Sequence, residues 1–280
     1  MVKLPRYSTR GNKGRILHAR FSCQRDGLTI RGQEYRPQGE GLPAAIVCHG
    51  FMANMGSVRH YAQHLARKGF AAFCFDFCGG SALPNSSDGK TTQMSVLTEV
   101  DDLTAVVQHV RGLGHVDPTR LLLMGCSQGG FVSALVAAQL PKQVAALVLL
   151  YPAFCIPDDA RSGKMMFARF DPTNVPETFR CGPMRLGSRY VTDVLDMDPY
   201  ARIAPYAGPV LIEQGTADKI VDPSYALCAR DTYAQRAGTS GLGGLGSITL
   251  HLIEGGAHGF SRKHDSIVIA HIDDFISPLL

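Results

Sequence analysis

The five residues Gly125-Cys126-Ser127-Gln128-Gly129 constrain this chain more than any others. They read G-x-S-x-G, the pattern of a turn that holds a nucleophilic serine between a strand and a helix. Residues 120–124 precede the turn as a short apolar run of buried-strand type, and residues 131–138 follow it as a small-residue helical run. The flanking glycines suit a turn too tight for side chains. A plain strand-to-helix turn with an incidental serine would give the same string. The strand before it and the helix after it favour the nucleophile.

A strand-turn-helix unit needs a sheet around it, and the chain supplies one. Further strand candidates fall at 16–23, 28–35, 44–48, 70–75, 144–150, 210–212 and 248–253. Helical patterns lie between them at 57–68, with Ser57 as N-cap, and at 96–110, 223–237 and 266–276. The expected architecture is α/β, a mostly parallel eight-stranded sheet with helices on both faces. Asp26-Gly27 between the first two runs predicts a hairpin and an antiparallel edge. Residues 154–206 break the rhythm with Pro157, Pro172, Pro176, Pro183, Pro199 and Pro205. They read as a cap inserted into a core made of 1–153 and 207–280.

Composition narrows the partners. The chain has 280 residues, 45% hydrophobic and 19% charged, enough for a full core. A net charge of +4 is too mild to argue for nucleic acid. The basic arm Lys3, Arg6, Arg10, Lys13 and Arg15 reads as a solvated tail. Eight cysteines show no paired spacing, and several sit in apolar strands, which points to a reduced, cytoplasmic setting. No secretion signal is visible at the start, and the longest apolar run, 144–156, is interrupted by Pro152 and too short for a membrane span. Residues 241–246 match G-x-G-x-x-G, but a helix pattern precedes them and a strand follows. A dinucleotide site needs the reverse order, so a surface loop is the reading there.

A serine hydroxyl needs a base, and the base needs a carboxylate to hold its tautomer. On a sheet of this type the chain order is serine, acid, histidine. Asp218 follows the strand at 210–212, where α/β sheets place their sites. Asp222 is a rival, although it precedes Pro223 and suits a helix N-cap. Glu213, within or at the end of the strand, is a weaker one. His258 lies between glycines in the loop after the last strand and reads as the base. His60 and His64 lack the glutamate of a metalloprotease helix, since position 61 is Tyr61, and His109 and His251 lie in regular elements. The backbone N–H groups of Gln128 and Phe51 are the expected oxyanion donors, with Gly50 turning the loop and His49 propping it.

With these elements in this order, the chain resembles the α/β-hydrolase family along nearly its whole length. The stretch Asp76-Phe77-Cys78-Gly79-Gly80-Ser81 resembles that family's D-x-x-G-x-G-x-S segment, one residue short and without the usual arginine. Within the family it is most similar to the bacterial cinnamoyl (feruloyl) esterases, through Ile156-Pro157-Asp158-Asp159-Ala160-Arg161-Ser162-Gly163, Phe170-Asp171-Pro172 and Gly187-Ser188-Arg189-Tyr190-Val191. The resemblance implies a serine carboxylic-ester hydrolase with no cofactor and no metal, acting on a small-molecule ester, with a homodimer allowed. It implies that the cap holds an aromatic acyl group and that Asp159 reaches a phenolic hydroxyl. With no Trp in the chain, a ring clamp must come from Phe167, Phe170, Phe179, Tyr190 or a methionine. A general short-chain esterase, a peptidase or aminoacyl hydrolase, and a catalytically silent binding protein stay open as alternatives. A cysteine hydrolase would need its thiol at 127, and Cys126 is one residue early.

Overall fold

A computed structural model describes residues 15–239 and 247–280. The first four basic residues of the arm and the 241–246 loop lie outside the described residues. In chain order the elements open with β1 (Leu17–Arg25), β2 (Leu28–Arg36), β3 (Leu42–Cys48), α1 (Arg59–Lys68), β4 (Ala71–Phe75) and α2 (Val96–Arg111). The central unit is β5 (Val116–Cys126), α3 (Gln128–Gln139) and β6 (Ala146–Leu150). Next come α4 (Ile156–Arg161), β7 (Lys164–Met165), β8 (Ala168–Arg169), β9 (Thr178–Cys181), β10 (Met184–Gly187), α5 (Arg189–Thr192) and α6 (Pro199–Ile203). The chain closes with β11 (Val210–Gly215), α7 (Pro223–Thr239), β12 (Ile248–Ile253) and α8 (Arg262–Ile276).

Eight strands form one sheet in the order β1-β2-β4-β3-β5-β6-β11-β12. β1 and β2 pair antiparallel with each other, and β2 antiparallel with β4. The other pairings are parallel. Asp26 and Gly27 both take positive φ, as a two-residue hairpin turn requires. β4, β6 and β11 are buried along their whole length, as strands covered on both faces must be. α2, α3 and α7 pack on one face, with Leu103, Phe131 and Ala229 in its core. α1 and α8 pack on the other, with Leu65 and Ile272.

Element boundaries differ from the sequence reading where capping was misjudged. Ser57 does not cap α1. Asn54 instead accepts the Gly56 N–H and opens a short 3-10 turn over Met55–Ser57, so α1 starts at Arg59 behind Val58, which makes no side-chain cap. α8 starts four residues before the expected Ser266, at Arg262. The inserted stretch is not irregular throughout. It carries the antiparallel pairs β7–β8 and β9–β10 and three short helices. Its Leu186, Tyr190, Val191 and Tyr206 are buried in the same core as α2 and α3, so it folds onto the sheet layers rather than standing apart.

α2 is amphipathic, but its buried face includes Glu99 and Asp102. Asp102 accepts from Arg25 Nε at 2.8 Å and from the Cys78 N–H at 2.8 Å, with its own side chain fully buried. This pair ties the edge hairpin to α2. Arg25→Ala would leave a carboxylate buried without its cation, which typically costs about 3 kcal/mol. Urea unfolding should show a loss of that size. A change under about 0.5 kcal/mol would mean that the bridge is already solvent-screened.

Candidate active site

β5 delivers Ser127 at its carboxyl end in a backbone conformation that side chains avoid, with φ 53° and ψ −120°. Two glycines permit the turn. A β-carbon at 125 would lie 2.2 Å from the Gly129 carbonyl oxygen, and one at 129 would lie 2.3 Å from the His49 carbonyl oxygen. Backbone hydrogen bonds pin the strained residue. Its N–H donates to the Leu150 carbonyl at 2.9 Å, and its carbonyl accepts from Gly130, Phe131 and Ala153 at 3.0–3.1 Å.

The loops after β11 and β12 bring the acid and the base to this serine. His258 Nε2 stands 3.0 Å from Ser127 Oγ, and His258 Nδ1 stands 2.8 Å from Asp218 Oδ2. Asp218 fixes the imidazole proton on Nδ1, which leaves Nε2 to accept from the serine hydroxyl. Its second oxygen accepts the N–H groups of Ile220 at 2.9 Å and Val221 at 3.0 Å. Gln214 Nε2 adds a bond to Oδ2 at 3.1 Å. Burial works against ionising Asp218, but the His258 imidazole and these N–H groups outweigh it and hold the carboxyl below its ordinary value. Tyr151 sets its ring edge-on to His258, with centroids 4.7 Å apart.

The rival residues have other work. Asp222 accepts the Ser224 N–H at 2.9 Å at the start of α7, as a cap does. Glu213 lies inside β11 and pairs with His251 and His271. His49 is buried, accepts the Phe77 N–H at 3.2 Å and donates to the Gly50 carbonyl at 2.9 Å, so it props the loop. His60 and His64 pair with Asp265 and Asp273. The Cys126 thiol is buried beneath the Tyr151 hydroxyl, and burial pushes it up to about 12, far from a reactive thiolate.

The loop after β3 runs against the nucleophile: a β-carbon on Gly50 would meet the Ser127 β-carbon at 3.0 Å. That places Phe51 beside the serine. Gln128 is the first residue of α3, whose N–H has no intrahelical acceptor. Its side chain does something the sequence did not reveal. Gln128 Nε2 donates to Glu99 Oε2 at 2.8 Å, and Gln128 Oε1 accepts from the Tyr190 hydroxyl. The Tyr190 ring in turn stacks on Phe51, with centroids 5.1 Å apart and planes 26° off parallel. One tyrosine of the inserted segment thus braces both residues expected to donate to an oxyanion.

Ser127 and His258 open into a cleft walled mainly by apolar side chains. Ile156, Met165, Met166, Tyr190, Ile220 and Val221 make much of its wall, and among the described residues Asp159 is the one carboxylate in the lining. Burial raises the Asp159 carboxyl above its ordinary value. Phe167 and Phe170 do not line the cleft, contrary to expectation. Phe167 is 68% exposed and rests over Gly182, and Phe170 packs on Phe179 with centroids 5.2 Å apart. The tight β7–β8 hairpin buries Met165, leaves Met166 exposed at the wall of the cleft and turns Phe167 outward.

The serine aminopeptidase, S33 family model matches residues 42–202, from β3 through most of α6. The chain belongs to that family. Its fold is the α/β-hydrolase fold. Est1E from Butyrivibrio proteoclasticus, solved with ferulic acid bound, superposes with a TM-score of 0.82 at 25% identity, covering 92% of this chain and 98% of that one. DcsB, solved in complex with its substrate analogue, superposes at 0.74 with 21% identity over 94% of this chain and all of that one, a likeness of fold. Among curated proteins, one from Aquifex aeolicus (strain VF5), provisionally named a carboxymethylenebutenolidase, is 30% identical over 136 residues, 46% of this chain. The match spans only 58% of that relative's length. Among the described residues no helix is long and apolar enough to cross a membrane.

The buried Glu99 generates a pH prediction. Burial raises its carboxyl well above the ordinary value, the Gln128 hydrogen bond opposes this, and Asp102 adds to it. The folded chain therefore keeps a proton that the unfolded chain releases above about pH 4.3. The stability linked to that proton is complete below this pH and is lost progressively as pH rises toward the folded value. Glu99→Gln keeps the acceptor for Gln128 and removes the titration. It should flatten the decline in stability above about pH 4.5 in urea unfolding at stepped pH. An unchanged slope would assign the decline to other groups.

Proposed function

We propose that this chain is a serine carboxylic-ester hydrolase that works through an acyl-enzyme and takes hydroxycinnamoyl-type esters. The observation that carries the reading is the Ser127–His258–Asp218 relay, at 3.0 and 2.8 Å, opening into an apolar cleft whose lining holds one carboxylate. In this mechanism Ser127 Oγ attacks the ester carbonyl as His258 Nε2 takes its proton. The oxyanion is held by the N–H groups of Phe51 and Gln128, each worth about 3 kcal/mol of barrier in comparable sites. His258 then gives the proton to the departing alkoxide. Water, activated by the same imidazole, releases the acid and frees Ser127.

Substrate class rests on the wall of the cleft. Met165, Met166, Ile156 and Tyr190 suit a planar ring; of the clamp candidates in the sequence, Tyr190 and the methionines would form it and the phenylalanines would not. Asp159, the carboxylate of that lining, would accept a 4-hydroxyl of the ring. The ferulic acid bound by Est1E supports this choice for a chain at 25% identity. The inserted segment 154–206 acts as the cap, and the enzyme works in the cytoplasm. An aminoacyl hydrolase is the second reading, favoured by the name of the matching family model.

A hydrolysis panel separates these readings. Methyl ferulate and methyl p-coumarate should have higher kcat/KM than acetyl or butyryl esters and than aminoacyl anilides. Asp159→Asn should raise KM for p-coumarate about tenfold, the effect of one charge-assisted hydrogen bond, and leave methyl cinnamate, which lacks the hydroxyl, unchanged. Equal changes on both esters would remove Asp159 from recognition. A preference for the anilides would favour the aminoacyl hydrolase.

A further inference from the structure

Three groups outside the catalytic site converge between β11, β12 and α8. Glu213 lies two residues after Leu211, on the sheet face that α8 covers. His251 is its parallel partner on β12. His271 comes from α8, next to buried Ile272. His251 Nδ1 is 2.7 Å from Glu213 Oε1, and His271 Nδ1 is 3.0 Å from Oε1 and 3.2 Å from Oε2. The two imidazole centroids are 3.8 Å apart. One nitrogen or oxygen from each residue falls within 4.8 Å of the others.

We infer that Glu213, His251 and His271 form a binding site for a divalent transition-metal ion, zinc being the best match. Two imidazole nitrogens and one carboxylate oxygen are a known zinc donor set that leaves a fourth position for water. The geometry needs little change. Ligands about 2.1 Å from a tetrahedral ion sit about 3.4 Å apart. The carboxylate-to-imidazole separations here are 2.7–3.2 Å and all three ligand atoms lie within 4.8 Å of one another, so side-chain shifts of about an ångström admit the ion.

Charge and access point the same way. The Glu213 side chain is fully buried, and its ion-pair partners among the described residues are these two imidazoles. Burial pushes its carboxyl up to about 9, and burial and the neighbouring His271 push His251 down. Binding a metal ion would displace the proton that burial leaves on Glu213. A dication meets the carboxylate charge and both imidazole lone pairs at once. The imidazoles are 36% and 28% exposed, which opens a path from solvent. The site joins the strand that leads to Asp218, the strand that leads to His258 and the helix that follows His258. An ion there would clamp the frame that carries the acid and the base without touching the reacting atoms.

Zinc titration into the full, untagged, chelator-treated chain tests this. Calorimetry should show one equivalent bound with micromolar or tighter affinity. At 100-fold excess over Kd, thermal unfolding should rise by about 5 °C. His251→Asn, His271→Asn and the isosteric Glu213→Gln should each weaken binding by about 100-fold or more. Ser127→Ala and the double change His60→Gln/His64→Gln should leave it intact, which separates this site from the catalytic histidine and from the paired histidines of α1. Binding that survives all three ligand changes, or no saturable binding at one equivalent, would overturn the assignment. These readouts do not depend on any esterase activity.

Discussion

The backbone of Ser127 is the constraint on which the rest of the site depends. A residue at φ 53° and ψ −120° persists only where its surroundings determine it. Here they do so through contact. Gly125 and Gly129 let the strand, the turn and the first turn of α3 pass closer than any side chain allows, and the His49 carbonyl occupies the space that a β-carbon at 129 would need. The Leu150 carbonyl at the end of the neighbouring strand holds the serine N–H. The Ser127 hydroxyl is thereby aimed out of the sheet, and the loops after β3, β11 and β12 are arranged around where it points.

A second tier of buried polar groups holds those loops. Gln214 and the N–H groups of Ile220 and Val221 fix Asp218, so its carboxylate needs no rearrangement when His258 becomes charged. Glu99, Gln128 and Tyr190 form a chain from α2 through the turn to the inserted segment, ending in the stack on Phe51. Such networks are stabilising only when every member is satisfied. This one joins the insertion to the site, because the segment that walls the cleft also steadies the residues beside Ser127.

The layout of sheet and triad was readable because each piece has a local signature. Ser127 sits in a glycine-flanked turn, while Asp218 and His258 follow strands in the order the sheet demands. Asp222 could be set aside because Pro223 marks a helix start, and it does cap α7. What could not be read depends on distant partners. Glu99 at helical spacing looks like a solvated acid until α3 is seen over it. Gln214 looks like an ordinary strand residue until its amide meets Asp218. Phe167 and Phe170 are expected in the cleft from the family resemblance, but Phe167 falls in the β7–β8 turn and Phe170 just after β8, and where such residues point is set by the hairpin's register, which no periodicity reveals. The Glu213, His251 and His271 cluster draws one residue from each of three elements and leaves no spacing pattern at all.

The central claim is that Ser127 carries the acyl group. The most direct measurement is mass spectrometry of the chain quenched during turnover of methyl ferulate. A feruloyl adduct should appear on the peptide containing Ser127 in the wild type and be missing from Ser127→Ala. An adduct on Cys126, or turnover in Ser127→Ala at the wild-type rate, would contradict it.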